Sequence, residues 1–139
     1  MSARFTDDYL LYLMARASAA LSDEFHAWLA SRGVPVSTWR ILASLHPDAA
    51  LTIGELADRC LAKQPTMTRM VDRLARKGLV AREEDSEDRR RARVRLTEAG
   101  RAFAAPLVAE ARAHEARVLP EERAAALKAA LRALLPARG

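Results

Sequence analysis

A chain of 139 residues has room for a single domain with a modest core. Half the residues are hydrophobic but only 5% aromatic, and a lone cysteine excludes an internal disulfide framework, so a mostly helical protein in a reducing compartment is expected. The net charge of +5 is uneven: Arg59 to Arg101 holds 13 basic and 7 acidic residues against 10 and 11 elsewhere, which points to a polyanionic partner.

No apolar run of about 18 residues could span a membrane. Asp7 and Asp8 precede the first apolar stretch and Arg16 lies inside it, unlike a secretory signal. A cytoplasmic protein is expected, with no membrane partner.

From about Asp7 to Ser31 the apolar residues Tyr9, Leu13, Ala17, Leu21, Phe25, Trp28 and Leu29 recur at helical spacing, until Gly33 and Pro35 stop the pattern. A second helix over roughly Ser37 to Leu45 carries Trp39, Ile41, Leu42 and Leu45, and His46-Pro47-Asp48 is a turn signal. Thr52-Ile53-Gly54-Glu55 has the capping-box form, after which Ile53, Leu56, Ala57, Cys60 and Leu61 make an apolar face. Only Leu61 to Lys63 separate this helix from the next, a helix-turn-helix spacing.

The next helix, Gln64 to Lys77, has two faces. Met67, Met70, Val71 and Leu74 form a buried stripe, and Thr66, Arg69, Arg73 and Arg76 a polar, cationic one. Pro65 suits the first helical position, and Lys77 with Gly78 closes the helix. Such a helix suits a DNA major groove. The period then changes. Leu79 to Arg82 reads as a short strand, Asp85 to Arg90 as a polar hairpin tip, and Arg91 to Leu96 alternates arginines with Ala92, Val94 and Leu96. A basic hairpin beside a reader helix is a wing whose arginines could enter the minor groove.

Thr97 is a plausible N-cap for a helix running toward Leu119, which Pro106 should kink or divide. Pro120-Glu121-Glu122 opens a last helix with Leu127, Leu131, Leu134 and Leu135 as its stripe. The apolar stripes at the two ends of the chain have no partner in the central stretch, so they pack on each other within one chain or are covered by a second copy, and the second copy is the expectation. A two-fold dimer would set two readers about 34 Å apart on a palindromic site.

The run Gln64-Pro65-Thr66-Met67-Thr68-Arg69-Met70-Val71-Asp72-Arg73-Leu74-Ala75-Arg76-Lys77-Gly78-Leu79-Val80 resembles the recognition helix and exit strand of the MarR family of bacterial regulators. Asp88-Arg89-Arg90 and Val94-Arg95-Leu96-Thr97-Glu98-Ala99-Gly100 resemble that family's wing and the start of its next helix. The resemblance implies a mainly α fold with a small β-hairpin wing: one MarR-like domain over 1–139, with a winged helix-turn-helix core at about 36–100 and dimerisation helices at 1–33 and 101–139. It implies a homodimeric repressor, responsive to a small ligand, an oxidant or a metal. By similarity Arg90 is the minor-groove arginine and Asp88 its positioning carboxylate.

On this reading Lys63, Thr68 and the backbone at the reader's start hold phosphates. Gln64, Thr66, Arg69 and Arg73 reach base edges, Arg76 extends the cationic stripe, and Arg89, Arg90 and Arg91 grip the minor groove and its flanks. Tyr9, Tyr12, Trp28, Trp39 and Arg40 form a candidate pocket for a small aromatic or phenolic effector, though aromatics at helical spacing are more often core. Cys60, on an apolar face, reads as a small buried hydrophobe rather than a redox sensor. His26, His46, His114 and Glu24 lack metal-ligand spacing, and Glu83, Glu84, Asp85, Glu87 and Asp88 read as a solvated loop. No catalytic constellation, metal site or cofactor motif is visible, so no enzyme is expected. The alternatives are a ligand-sequestering dimer without DNA function and a nucleoid-type binder without an operator.

Overall fold

The computed structural model describes residues 3–84 and 91–137. The elements in chain order are α1 (Phe5–Asp8), α2 (Leu10–Ser31), α3 (Val36–Leu45), β1 (Leu51–Thr52), α4 (Ile53–Arg59), α5 (Gln64–Arg76), β2 (Val80–Glu83), β3 (Arg93–Leu96), α6 (Glu98–Val118) and α7 (Glu121–Leu134). The chain divides into two compact units, Glu24–Ala109 and the two ends, Met1–Asp23 with Glu110–Gly139.

The central unit is built on the expected helix-turn-helix and hairpin. Its core gathers Phe25 and Leu29 from α2, Ile41, Leu42 and Leu45 from α3, Leu56 and Ala57 from α4, and Met67, Val71 and Leu74 from α5. Burying a side chain of this size contributes roughly 1.5–3 kcal/mol of transfer free energy. The antiparallel sheet has the order β1-β3-β2, with Leu51 opposite Val94 and Val80 opposite Leu96. Alternation along β3 buries Val94 and Leu96 and leaves Arg93 and Arg95 outside, as a half-buried strand requires.

In the unit formed by the ends, His114 and Ala124 are buried. Lys128 Nζ lies 3.0 Å from Glu115 Oε2, and Arg117 Nη2 lies 3.1 Å from Glu110 Oε1. Both pairs are exposed enough that they add little to stability. Of the apolar stripes predicted at the termini, Tyr9 and Leu13 near the start and Leu127, Leu131, Leu134 and Leu135 near the end are in the open, as are Leu10 and Leu11, whereas Phe25 and Leu29 are buried in the central unit.

Four expectations needed correction. The first helix is not continuous from Asp7, because Tyr9 has extended backbone (φ −85, ψ 110) and separates α1 from α2. Leu61 does not belong to the apolar face of α4. It stands 81% exposed at φ 57, since the chain has left the helix and turns there toward α5. Pro106 does not divide α6, which runs unbroken from Glu98 to Val118. The sheet also has a third strand, β1, too short at two residues to leave a periodic signal.

Candidate nucleic-acid interface

The geometry of the reader begins with α4. Thr52 caps it, its Oγ1 accepting from the Glu55 backbone N–H at 3.2 Å. Leu56 and Ala57 are buried, and Cys60 closes the helix. The left-handed backbone at Leu61 then redirects the chain so that α5 starts at Gln64, three residues on.

Lys63 occupies the N-cap of α5 without a side-chain cap, and the first backbone bond runs from Met67 N–H to Lys63 C=O at 2.9 Å. Pro65 therefore lies in the first turn, where its missing N–H costs nothing, and the Gln64 and Thr66 N–H groups precede the ladder. Orphan donors at a helix start attract anions. The Gln64 amide lies over Gly54 of α4, its Nε2 3.3 Å from where a Cβ would be. Thr68 Oγ1 donates to Gln64 C=O at 3.0 Å, so its proton already has an acceptor inside the helix and its oxygen faces outward only as an acceptor.

The two faces of α5 are as the spacing predicted. Met67, Val71 and Leu74 are buried and Met70 is half-buried, while Thr66, Arg69, Arg73 and Arg76 are exposed. The single acid of the helix, Asp72, is engaged: its Oδ1 accepts from Arg82 Nη2 of β2 at 2.6 Å. Arg82 lies opposite Val94 and so shares the core-facing side of the sheet, from which it reaches the reader. On the other side Arg95 Nε meets Glu83 Oε1 at 2.9 Å, and Arg93 Nη1 donates to Ala50 C=O at 3.2 Å. These ties between hairpin and helices were not anticipated from the sequence. The alternation shows which face Arg82 takes, but not which acid lies within its reach.

Of the hairpin residues assigned to DNA, Arg91 is described and exposed. Asp88, Arg89 and Arg90 lie outside the described residues. The pocket candidates are divided: Tyr9 and Tyr12 belong to the unit of the chain ends, and Trp28, Trp39 and Arg40 to the central unit. In the central unit Trp28 stacks on Phe25 at 5.9 Å, Trp39 meets the same ring edge-on at 5.1 Å, and Arg32 covers Trp28 at 4.4 Å. Arg40 is exposed. Tyr12 accepts a hydrogen bond from Arg16 Nη1 at 3.3 Å. Cys60 is 4% exposed, with Ser44 Oγ 3.8 Å from its sulfur, and burial pushes its thiol pKa up against the smaller opposing effects of Ser44, Arg40 and Arg59. Among the described residues no cluster of His, Cys, Asp or Glu could hold a metal ion, and no helix is long and apolar enough to cross a membrane.

A family model described as "MarR family" matches residues 35–92. The crystal structure of the MarR family transcriptional regulator SPO1453 from Silicibacter pomeroyi DSS-3 is 44% identical, with 95% of this chain and 96% of that one aligned at a TM-score of 0.84. The chain belongs to the MarR family. NadR, solved in complex with 4-hydroxyphenylacetate, is 27% identical over 96% of this chain and 97% of its own, at a TM-score of 0.80. The HTH-type transcriptional repressor IacR of Pseudomonas putida is 31% identical over 94 residues, 68% of this chain and 56% of IacR. This MarR family member thus matches little more than half the length of that curated relative. Its mainly helical fold with a small antiparallel sheet is that of the winged-helix regulators it resembles.

Proposed function

We propose that the protein is a sequence-specific, ligand-responsive transcriptional repressor that binds a palindromic operator as a homodimer and has no enzymatic activity. The observation that carries this reading is α5: a helix whose buried side anchors it in the central unit while Thr66, Arg69, Arg73 and Arg76 stand in solvent. Gln64, Thr66, Arg69 and Arg73 read base edges, and Arg76 adds positive charge along the same helix. Lys63 and the open N–H groups of the first turn hold phosphates, with Thr68 beside them. Arg89, Arg90 and Arg91 enter the minor groove, with Asp88 aiming Arg90.

The segments 1–33 and 101–139 are the dimerisation helices and 36–100 the DNA-binding core. Support for a second copy comes from the open leucines of α2 and α7, since contiguous exposed apolar surface marks an interface. An aromatic or phenolic effector fits the Trp28, Trp39 and Arg40 group, with Tyr9 and Tyr12 as further candidates. NadR, with its hydroxyphenyl acid, supports that class. Bound to the dimer, an effector that prefers another separation of the readers lowers DNA affinity by the ratio of its affinities for the two states.

The test is selection of bound genomic fragments followed by anisotropy titration of one selected palindrome. Discrimination of well over roughly a hundredfold against random duplex, lost in Arg69→Ala and Arg73→Ala, supports the operator reading. Equal affinity for any duplex makes the protein a nucleoid-type binder, and no salt-dependent affinity at all leaves the ligand-sequestering reading.

A further inference from the structure

Gly54 lies in the first turn of α4, and its backbone has no left-handed angle that would call for glycine. Alanine is the better helix former, so the missing side chain is not a demand of the local backbone. What a Cβ would meet there is mostly Gln64: the carboxamide Nε2 at 3.3 Å and Cδ at 4.0 Å, with the capping Thr52 Oγ1 at 3.9 Å. A separation of 3.3 Å is closer than most side chains tolerate, so the Gln64 carboxamide rests in room that glycine leaves on α4.

The main chain of Gln64 is held from the other direction. Thr68 Oγ1 donates to its carbonyl at 3.0 Å, and the Met67 N–H donates to the carbonyl of Lys63 just before it at 2.9 Å. Leu56 and Ala57 of α4 and Met67 and Val71 of α5 are buried, so the two helices that the side chain bridges are themselves anchored in the core. Gln64 is exposed, and its carboxamide has no hydrogen bond to another described residue, which leaves its donors and acceptor available. An exposed glutamine otherwise samples several rotamers, and ordering it on binding costs entropy. Resting on α4, it has fewer orientations to lose.

We propose that Gly54 is a specificity-determining position: by presenting no side chain it seats the Gln64 carboxamide on α4 and so fixes the direction in which that group meets a base edge. A glutamine carboxamide matches adenine, accepting from N6 and donating to N7, so adenine is the base it selects. Gly54 acts through Gln64 and touches no base, which makes it a positioning residue. This role rests on the DNA-binding reading; the contact between Gly54 and Gln64 does not.

Anisotropy titration of the full chain on the selected operator, with each base pair of both half-sites changed in turn, tests the role. Gln64→Ala should erase a preference of about fivefold or more for adenine at one base pair per half-site, which identifies the pair it reads. Gly54→Leu fills the seat with a good helix former and should cut the preference at that pair to about a third, while Gly54→Ala should lower it about twofold. Preferences elsewhere should stay as they are. With Gln64→Ala already in place neither Gly54 substitution should alter base preference, a coupling that a merely structural role would not produce. Melting temperatures level with the unmodified chain or above it show that the variants fold. In the DNA-free chain an NOE between the Gln64 Nε2 protons and the Gly54 Hα protons, lost in Gly54→Leu, reads the contact without duplex. The proposal is overturned if the NOE is absent, if Gln64→Ala leaves every base preference intact, or if both Gly54 variants keep the preference of the unmodified chain. It is equally overturned if they weaken all duplexes alike, or if their effect persists in the Gln64→Ala background. A chain that shows the NOE but no preference at any base pair overturns the DNA-binding reading and leaves only the contact standing.

Discussion

Replacing Gly100 by alanine should destabilise the protein, although Gly→Ala inside a helix ordinarily stabilises by about 0.5–1 kcal/mol. Gly100 lies in the first turn of α6, where its N–H donates to Thr97 Oγ1 at 3.0 Å. A Cβ there would penetrate the Leu79 carbonyl oxygen, sit 2.9 Å from the Leu79 carbonyl carbon and 3.2 Å from Leu96 Cδ2. The first two atoms are backbone and cannot swing aside. The same carbonyl accepts the Thr97 N–H at 3.1 Å, so relieving the clash sacrifices that bond as well. Overpacking costs about 1–3 kcal/mol and the lost hydrogen bond about 1 kcal/mol, which outweighs the propensity gain and leaves a net loss of about 1–3 kcal/mol. For a chain of this size the melting temperature should fall by roughly 3–10 °C at fixed protein concentration. Thermal unfolding followed by circular dichroism measures it. An unchanged or raised melting temperature would refute the reasoning, because it would mean that Leu79 and α6 can separate without loss.

Met67→Ala, at a fully buried site, should cost about 2–5 kcal/mol in urea unfolding. Arg69→Ala should leave stability within about 0.5 kcal/mol, and weaken specific DNA binding by about 1–3 kcal/mol in anisotropy titration. Lys63→Ala should lower the slope of log affinity against log salt by about 0.9 per subunit with sequence preference unchanged; an unaltered slope would mean that this lysine meets no phosphate. Burial raises the Cys60 thiol above its unfolded value, so the stability this gives is fully present below the unfolded pKa and is lost as pH climbs through the folded one. Urea melts across the alkaline range should accordingly fall less steeply in Cys60→Ala than in the unmodified chain.

Residues with a period were readable in advance. The spacing of Met67, Val71 and Leu74 set the buried side of α5, and the alternation at Val94 and Leu96 set that of β3, because each face is decided by local geometry. What escaped depends on partners distant in the chain. The bond from Arg82 to Asp72 spans ten positions, and that from Arg93 to Ala50 spans 43. Leu61 misled for a related reason: its apolar side chain continues the pattern of α4, while the backbone has already turned at φ 57. Pro106 lies within an undivided α6 although the pattern alone argued for a kink or a division.

Thr52 serves both as a strand residue paired with Arg93 and as the cap of α4. From there a closed circuit runs through β3 to β2, across the Asp72–Arg82 pair to α5, and back to α4 through the four-residue turn. This circuit ties the helix to the root of the hairpin in the folded chain, so on the proposed DNA-binding reading less ordering entropy is left to spend when duplex arrives. On that same reading, a half-site whose groove-to-groove offset departs from the spacing between helix and hairpin would favour sequences that deform easily.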